Sequence, residues 1–221
     1  MKTSNEKIVI ENAIVGIVDM VSSTKLSNAV DVHTDWEIKE RFLKAAQARA
    51  KQTGMSILSL TGDGFLFLAN AKGGLEWARG LEAFQTLLVS DYRAILAEYA
   101  AVIGQVKSGI RFGVAAGPVI VGRVSGREDQ FIAVGAAINL AARLCASAEI
   151  DQMAMSSSVW DVYGALNQDT EVSMCAHQQL KGFDHVIVGF HIRTQPEIAS
   201  KRNTRTRVSA RWTGFTLQQA A

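Results

Sequence analysis

Residues 13–18 form an apolar run, AIVGIV, that closes on Asp19 just ahead of Ser22-Ser23-Thr24. Such a run reads as a strand buried on both faces that delivers one carboxylate at its carboxyl edge. A second strand signal, residues 55–69, is interrupted by Gly62-Asp63-Gly64, the chemistry of a tight hairpin turn with an acid at its tip. Between the two, Thr34 followed three residues later by Glu37 predicts a capping box, and Gly54 the end of its helix. Trp36, Leu43, Ala46 and Ala50 recur at helical spacing as its sheet-facing stripe. A long helical pattern covers residues 75–103, with Ser90-Asp91 as a candidate break.

From Gly109 the period changes to two. Ile110, Phe112 and Val114 fall on one face, and Arg111, Gly113 and Ala115 on the other. Ala116-Gly117-Pro118 turns the chain into the apolar run 119–124, residues 126–130 form a polar hairpin tip, and residues 131–134 lead through Gly135 into a short helix. On that helix Asn139 and Arg143, four apart, share a face. A strand at 153–155, a helix capped near Ser157, and strands around 171–180 and 185–193 complete the pattern, with Lys181-Gly182-Phe183 between the last two. Alternating strands and helices, with hairpins that make part of the sheet antiparallel, predict an α/β (α+β) sandwich with helices packed on one face of a mixed sheet.

Composition narrows this picture. The 221 residues, 48% hydrophobic and 20% charged, suit one domain, residues 1–193, followed by a basic tail, 194–221. Its longest uncharged apolar stretches fall far short of the roughly 18 residues that span a bilayer. The N-terminus lacks the apolar core of a secretory signal, and Cys145 and Cys175 are too few for a disulfide framework, so the cytoplasm is the expected location. Lys201, Arg202, Arg205, Arg207 and Arg211 crowd the tail, which is read as a solvated terminus with neither nucleic acid nor membrane as partner.

Candidate chemistry comes from polar residues placed where the apolar logic does not want them: Asp19, Asp63, Arg111, Asn139, Arg143 and Lys181. Carboxylates suit hard, oxygen-seeking divalent ions, and arginine and lysine suit phosphate oxygens, so the set fits a nucleoside triphosphate held with metal. Each residue has a plainer alternative. Asp63 suits any hairpin turn, Asn139 and Arg143 a solvated helix face, and Lys181 a turn. Asp19 is harder to dismiss, because an acid closing an apolar strand needs a partner or an ion. Neither a zinc spacing nor a Gly-x-x-x-x-Gly-Lys phosphate loop occurs.

In order and spacing these residues resemble the class III nucleotidyl cyclase catalytic domain, the adenylate and guanylate cyclase family, over roughly residues 8–193. Asp19-Met20-Val21-Ser22-Ser23-Thr24 is similar to the family's first metal motif, Asp-Ile-x-Gly-Phe-Thr, with Ser-Ser replacing Gly-Phe. Gly62-Asp63 is similar to the second, Arg111 to the phosphate-binding arginine ahead of Gly117, and Ile138-Asn139-Leu140-Ala141-Ala142-Arg143 to the transition-state motif. Lys181 corresponds to the phosphate lysine of Leu-Lys-Gly. The resemblance implies a ferredoxin-like, largely antiparallel sheet and a head-to-tail homodimer with two active sites at its interface. One subunit would supply Asp19, the Met20 carbonyl, Asp63 and Arg111, and the other Asn139, Arg143 and Lys181. It also implies two Mg²⁺ or Mn²⁺ ions per site.

The departures concern the base. Family members that use ATP typically place a lysine three residues before the Gly-Asp motif and an aspartate or threonine seven before the asparagine. Here those base-recognition positions hold Ser59 and Ile132, and no Glu and Cys pair suited to guanine replaces them. A stand-alone domain with complete phosphate and metal machinery but no purine reader also resembles the pyrimidine cyclases of bacterial Pycsar anti-phage systems. That resemblance implies conversion of UTP, ahead of CTP, to a cyclic monophosphate that acts on a separate effector. An adenylate cyclase and an inactive nucleotide-binding module are the alternatives.

Overall fold

The computed structural model describes residues 7–69, 76–124, 127–166, 172–178, 182 and 187–193. Lys181 and the basic tail lie outside them. The strands are β1 (Lys7–Val21), β2 (Met55–Leu60), β3 (Gly64–Ala69), β4 (Gly109–Val124), β5 (Arg127–Val134), β6 (Gln152–Ser156), β7 (Val172–Gln178) and β8 (Ile187–Arg193). They form one eight-stranded sheet in the order β2-β3-β1-β4-β6-β8-β7, with β5 paired to β4. All pairings are antiparallel except that of β4 with β6, so the expected mixed, largely antiparallel sheet is the one observed.

The helices are α1 (Ser23–Ala29), α2 (Val32–Thr53), α3 (Glu76–Glu98), α4 (Ala100–Ile103), α5 (Ala136–Ser147) and α6 (Ser157–Leu166). On one face of the sheet Val18, Phe65, Phe67 and Phe112 meet Phe42 of α2, Phe84 and Tyr92 of α3 and Tyr163 of α6 in the larger core. Phe84 is the hub, with its ring centroid 5.3 Å from Phe67, 6.2 Å from Phe65 and 6.2 Å from Phe112. The period-two logic sends alternate residues of the same strands to the opposite face. There Ala13, Val15 and Ala115 meet Ala137, Ala141 and Leu144 of α5 in a smaller core. Helices therefore cover both faces and not the single face expected from the sequence, and α5 packs alone, among the described elements, on the side away from α2 and α3. The small residues explain how: an alanine-lined helix sits close to the sheet.

Three local expectations are corrected. Ala116-Gly117-Pro118 does not turn the chain, because β4 runs through it as one strand with Ala116 and Gly117 paired to Ile14 and Ala13. Helix α2 begins earlier than the Thr34 and Glu37 signal implied, because Asp31 is its N-cap: Oδ1 accepts from the His33 and Thr34 amides at 2.9 and 3.1 Å. Its buried stripe is Ile38, Phe42, Ala46 and Ala50, while Trp36 is 69% exposed. Ser90-Asp91 does not interrupt α3. The Asp91 carboxylate instead takes Arg49 of α2 in a forked pair at 2.7 and 3.0 Å, so a residue that reads as a breaker is a tie between helices.

Candidate active site

β1 runs between β3 and β4, and its registers decide what Asp19 meets. Asp19 is the cross-strand partner of Gly64 on one side and of Arg111 on the other. Opposed side chains on one face of an antiparallel pair lie about 5 Å apart at Cβ, so the acid and the arginine are neighbours by construction. Arg111 donates to Asp19 Oδ2 from Nε at 3.0 Å and from Nη2 at 2.6 Å. Its third contact, Nη1 to the Ala146 carbonyl at 3.1 Å, reaches the C-terminal end of α5. Both side chains stay partly open, at 27% and 29% exposure for Arg111 and Asp19.

Asp63 sits in the β2–β3 turn, one residue before the Gly64 that faces Asp19. Both flanking glycines are needed. Gly62 adopts φ 74°, and a Cβ on Gly64 would stand 2.2 Å from the Val18 carbonyl oxygen. The hairpin thus closes against β1 only because position 64 has no side chain. The turn after Asp19 tells the same story from the other side, since Ser22 holds φ 62° where the family motif has glycine.

Asn139 and Arg143 lie on the exposed face of α5, as their four-residue spacing implied. Asn139 is seven residues from Ala146, about 10 Å along the helix axis, and Arg111 grips the Ala146 end. Within one chain Arg111 and Asp19 are in contact and Asp63 lies in the adjoining turn, while Asn139 and Arg143 lie on the exposed face of α5. Met20 is buried in the larger core, which leaves its backbone oxygen as the candidate donor. Ser59 is half-buried on β2, and Ile132, on β5, is 52% exposed. The two strands that carry them pack in contact. Lys181 lies outside the described residues.

Supporting residues escaped the sequence reading. Asp151, at φ 59°, pins the start of β4 beside Arg111: its amide donates to the Ile110 carbonyl at 2.6 Å, and its Oδ1 accepts from the Ile110 amide at 3.2 Å. Arg93 of α3 donates to the same carboxylate at 2.9 Å. The only sequence signal was an acid placed just before the buried strand β6. Cys145 donates its thiol to the Arg111 carbonyl at 3.5 Å; burial pushes the thiol up to about 12, so it stays protonated and is no nucleophile.

Two carboxylates and a backbone oxygen at one sheet end are hard donors that fit Mg²⁺ or Mn²⁺, with substrate phosphates completing the coordination shell. Among the described residues no cluster of three or more His, Cys, Asp or Glu side chains offers a fuller protein cage. Nor is any described helix long and apolar enough to cross a membrane.

Comparison with known proteins gives a family and a fold. Residues 12–194 match the model of the adenylate and guanylate cyclase catalytic domain. No curated protein matches the chain. Among solved structures, the adenylyl cyclase CyaB from P. aeruginosa is similar in fold, with a TM-score of 0.73, 18% identity, and 86% of this chain and 97% of that chain covered. A rhodopsin-guanylyl cyclase catalytic core with converted specificity, in complex with ATPαS, aligns with a TM-score of 0.69, 16% identity and coverage of 86% and 99%. The guanylate cyclase domain of RhGC from Catenaria anguillulae, in complex with GTP, aligns with a TM-score of 0.64, 16% identity and coverage of 85% and 99%. With the family model spanning most of its length, this chain belongs to the class III adenylate and guanylate cyclase catalytic domain family.

Proposed function

We propose that the chain is a pyrimidine nucleotide cyclase that converts UTP, and CTP second, to the 3′,5′-cyclic monophosphate and pyrophosphate. The observation that carries the cyclase reading is the register that sets Asp19 between Gly64 and Arg111, with Asp63 one residue away. Asp19, the Met20 carbonyl and Asp63 are the residues to hold two Mn²⁺ or Mg²⁺ ions. Bound metal supplies Lewis-acid activation of the ribose 3′-hydroxyl and charge neutralisation at the triphosphate. Arg111 and Lys181 bind phosphate oxygens. Asn139 orients the ribose so that O3′ lies in line with the α-phosphorus, and Arg143 stabilises the charge that grows on the α-phosphate oxygens as pyrophosphate leaves. No side chain acts as nucleophile.

Because Asn139 and Arg143 lie on the exposed face of α5, open to a second chain, the complete site is proposed to form in a head-to-tail homodimer. Exposed apolar residues on the strands before α5 support this reading: Ile120 of β4, its cross-strand partner Val134 of β5, and Ile132 two residues from Val134 on the same face would be buried by a second copy. Base choice rests on Ser59 and Ile132. Ile132 has no group to pair with a purine edge, and the loss of a buried polar reader costs orders of magnitude in discrimination. The guanylyl cyclase core with converted specificity supports treating base choice as separable from the fold. The product is proposed to be a cytoplasmic second messenger acting on a separate effector in anti-phage defence.

The test is turnover with Mn²⁺ and each of the four ribonucleoside triphosphates, with products identified by mass spectrometry. Cyclic UMP or cyclic CMP is the expected product. Turnover of ATP alone would make the chain an adenylate cyclase, and nucleotide binding without turnover would make it a regulatory module.

A further inference from the structure

Arg111 is read above as a phosphate ligand, yet its guanidinium is committed elsewhere. Two of its nitrogens, Nε and Nη2, converge on one atom, Asp19 Oδ2, at 3.0 and 2.6 Å. The third nitrogen holds the Ala146 carbonyl at 3.1 Å, which anchors the fork across β1, β4 and α5. A forked guanidinium on a partly buried carboxylate is a strong pairing, and it takes Oδ2, one of the two oxygens through which Asp19 would hold a metal. A guanidinium and a divalent cation held on one carboxylate repel each other.

We propose that Arg111 is an exchange counter-ion: it neutralises Asp19, gives the carboxylate up to a divalent cation, and so is released towards the triphosphate. This rests on the metal role of Asp19 stated under Proposed function. The exchange makes one side chain responsible for two requirements. Asp19 carries no bare charge before metal enters, and the phosphate-binding cation is freed as metal enters. The Ala146 carbonyl is the contact that the guanidinium leaves behind, at the C-terminal end of α5, the helix that carries Asn139 and Arg143.

The measurement is Mn²⁺ binding to the purified full-length protein without nucleotide, followed by the loss of the free-ion electron paramagnetic resonance signal. Wild type is compared with Arg111→Gln, Arg111→Lys and Asp19→Asn. Exchange requires Arg111→Gln, which removes the competing charge, to bind Mn²⁺ about three- to tenfold more tightly. Arg111→Lys, which keeps a charge but loses the fork, should fall between it and wild type. Thermal melts show which variants are folded, and Arg111→Lys decides the matter if Arg111→Gln is not. Unchanged or weaker Mn²⁺ binding in the folded Arg111 variants would overturn the exchange while leaving the metal role of Asp19 intact. Undiminished binding in Asp19→Asn would overturn both, and so marks failure of the underlying metal reading.

Discussion

At the scale of single residues, the chain separates groups that are read directly from the sequence from groups that become meaningful only in register. Asp19 and Asp63 were legible because an acid closing an apolar run and an acid between two glycines both break their local pattern. The contact between Asp19 and Arg111 was not legible. It joins residues 92 positions apart and depends on the alignment of β1 with β4, which no local periodicity reports. His191 is a similar case. The sequence offered four dispersed histidines, whereas the structure buries His191 with Nδ1 at 3.2 Å from Gln152 Oε1. Burial holds its imidazole below the ordinary 6.5, with Glu149 pulling the other way. The unfolded chain therefore takes up a proton first, so the native advantage is complete above about pH 6.5 and is lost as the pH falls towards the folded value. The melting advantage of wild type over His191→Gln should narrow as the pH is lowered from about 7.5 to about 5.5, and a constant difference would remove this role.

At the scale of elements, strand and helix types were legible, and their phases and faces were less so. Trp36 lay on the expected stripe of α2 because period alone admits more than one phase; packing chose Ile38 and Phe42. Helix α1 leaves no periodic signal in the sequence, since its seven residues bury only Leu26. The placement of α5 on the opposite face matters most for function. A Cβ on Gly113 would lie 2.0 Å from the Ala141 carbonyl oxygen and 2.2 Å from the Cys145 amide, so β4 and α5 meet backbone to backbone. Gly113→Ala must push α5 outward, at a cost of about 1–3 kcal/mol. It should lower the melting temperature and also depress turnover more than nucleotide binding, because Asn139 and Arg143 ride on the displaced helix. A variant with wild-type melting and turnover would show that this close approach does not position the site.

At the scale of the whole molecule, the two cores assign different tasks to the two faces of the sheet. The aromatic core around Phe84 fixes the strands, and thereby the registers that deliver Asp19, Asp63 and Arg111. The alanine-lined core lets α5 lie close, with Asn139 and Arg143 on its exposed face. On the proposed function a single chain presents two half-sites, and the enzyme is complete only when two chains meet. The mixed, largely antiparallel fold was legible from alternation and hairpin chemistry, whereas the division into half-sites came from the family resemblance, because no local pattern reports which chain completes a site. The most direct measurement mixes Asp19→Ala protein with Arg143→Ala protein, each inactive alone, and assays UTP turnover with Mn²⁺. In random mixing half the dimers are mixed, and each has one intact site, so about a quarter of wild-type activity should return. No recovery, with mixed dimers demonstrated by native mass spectrometry, would contradict the divided site.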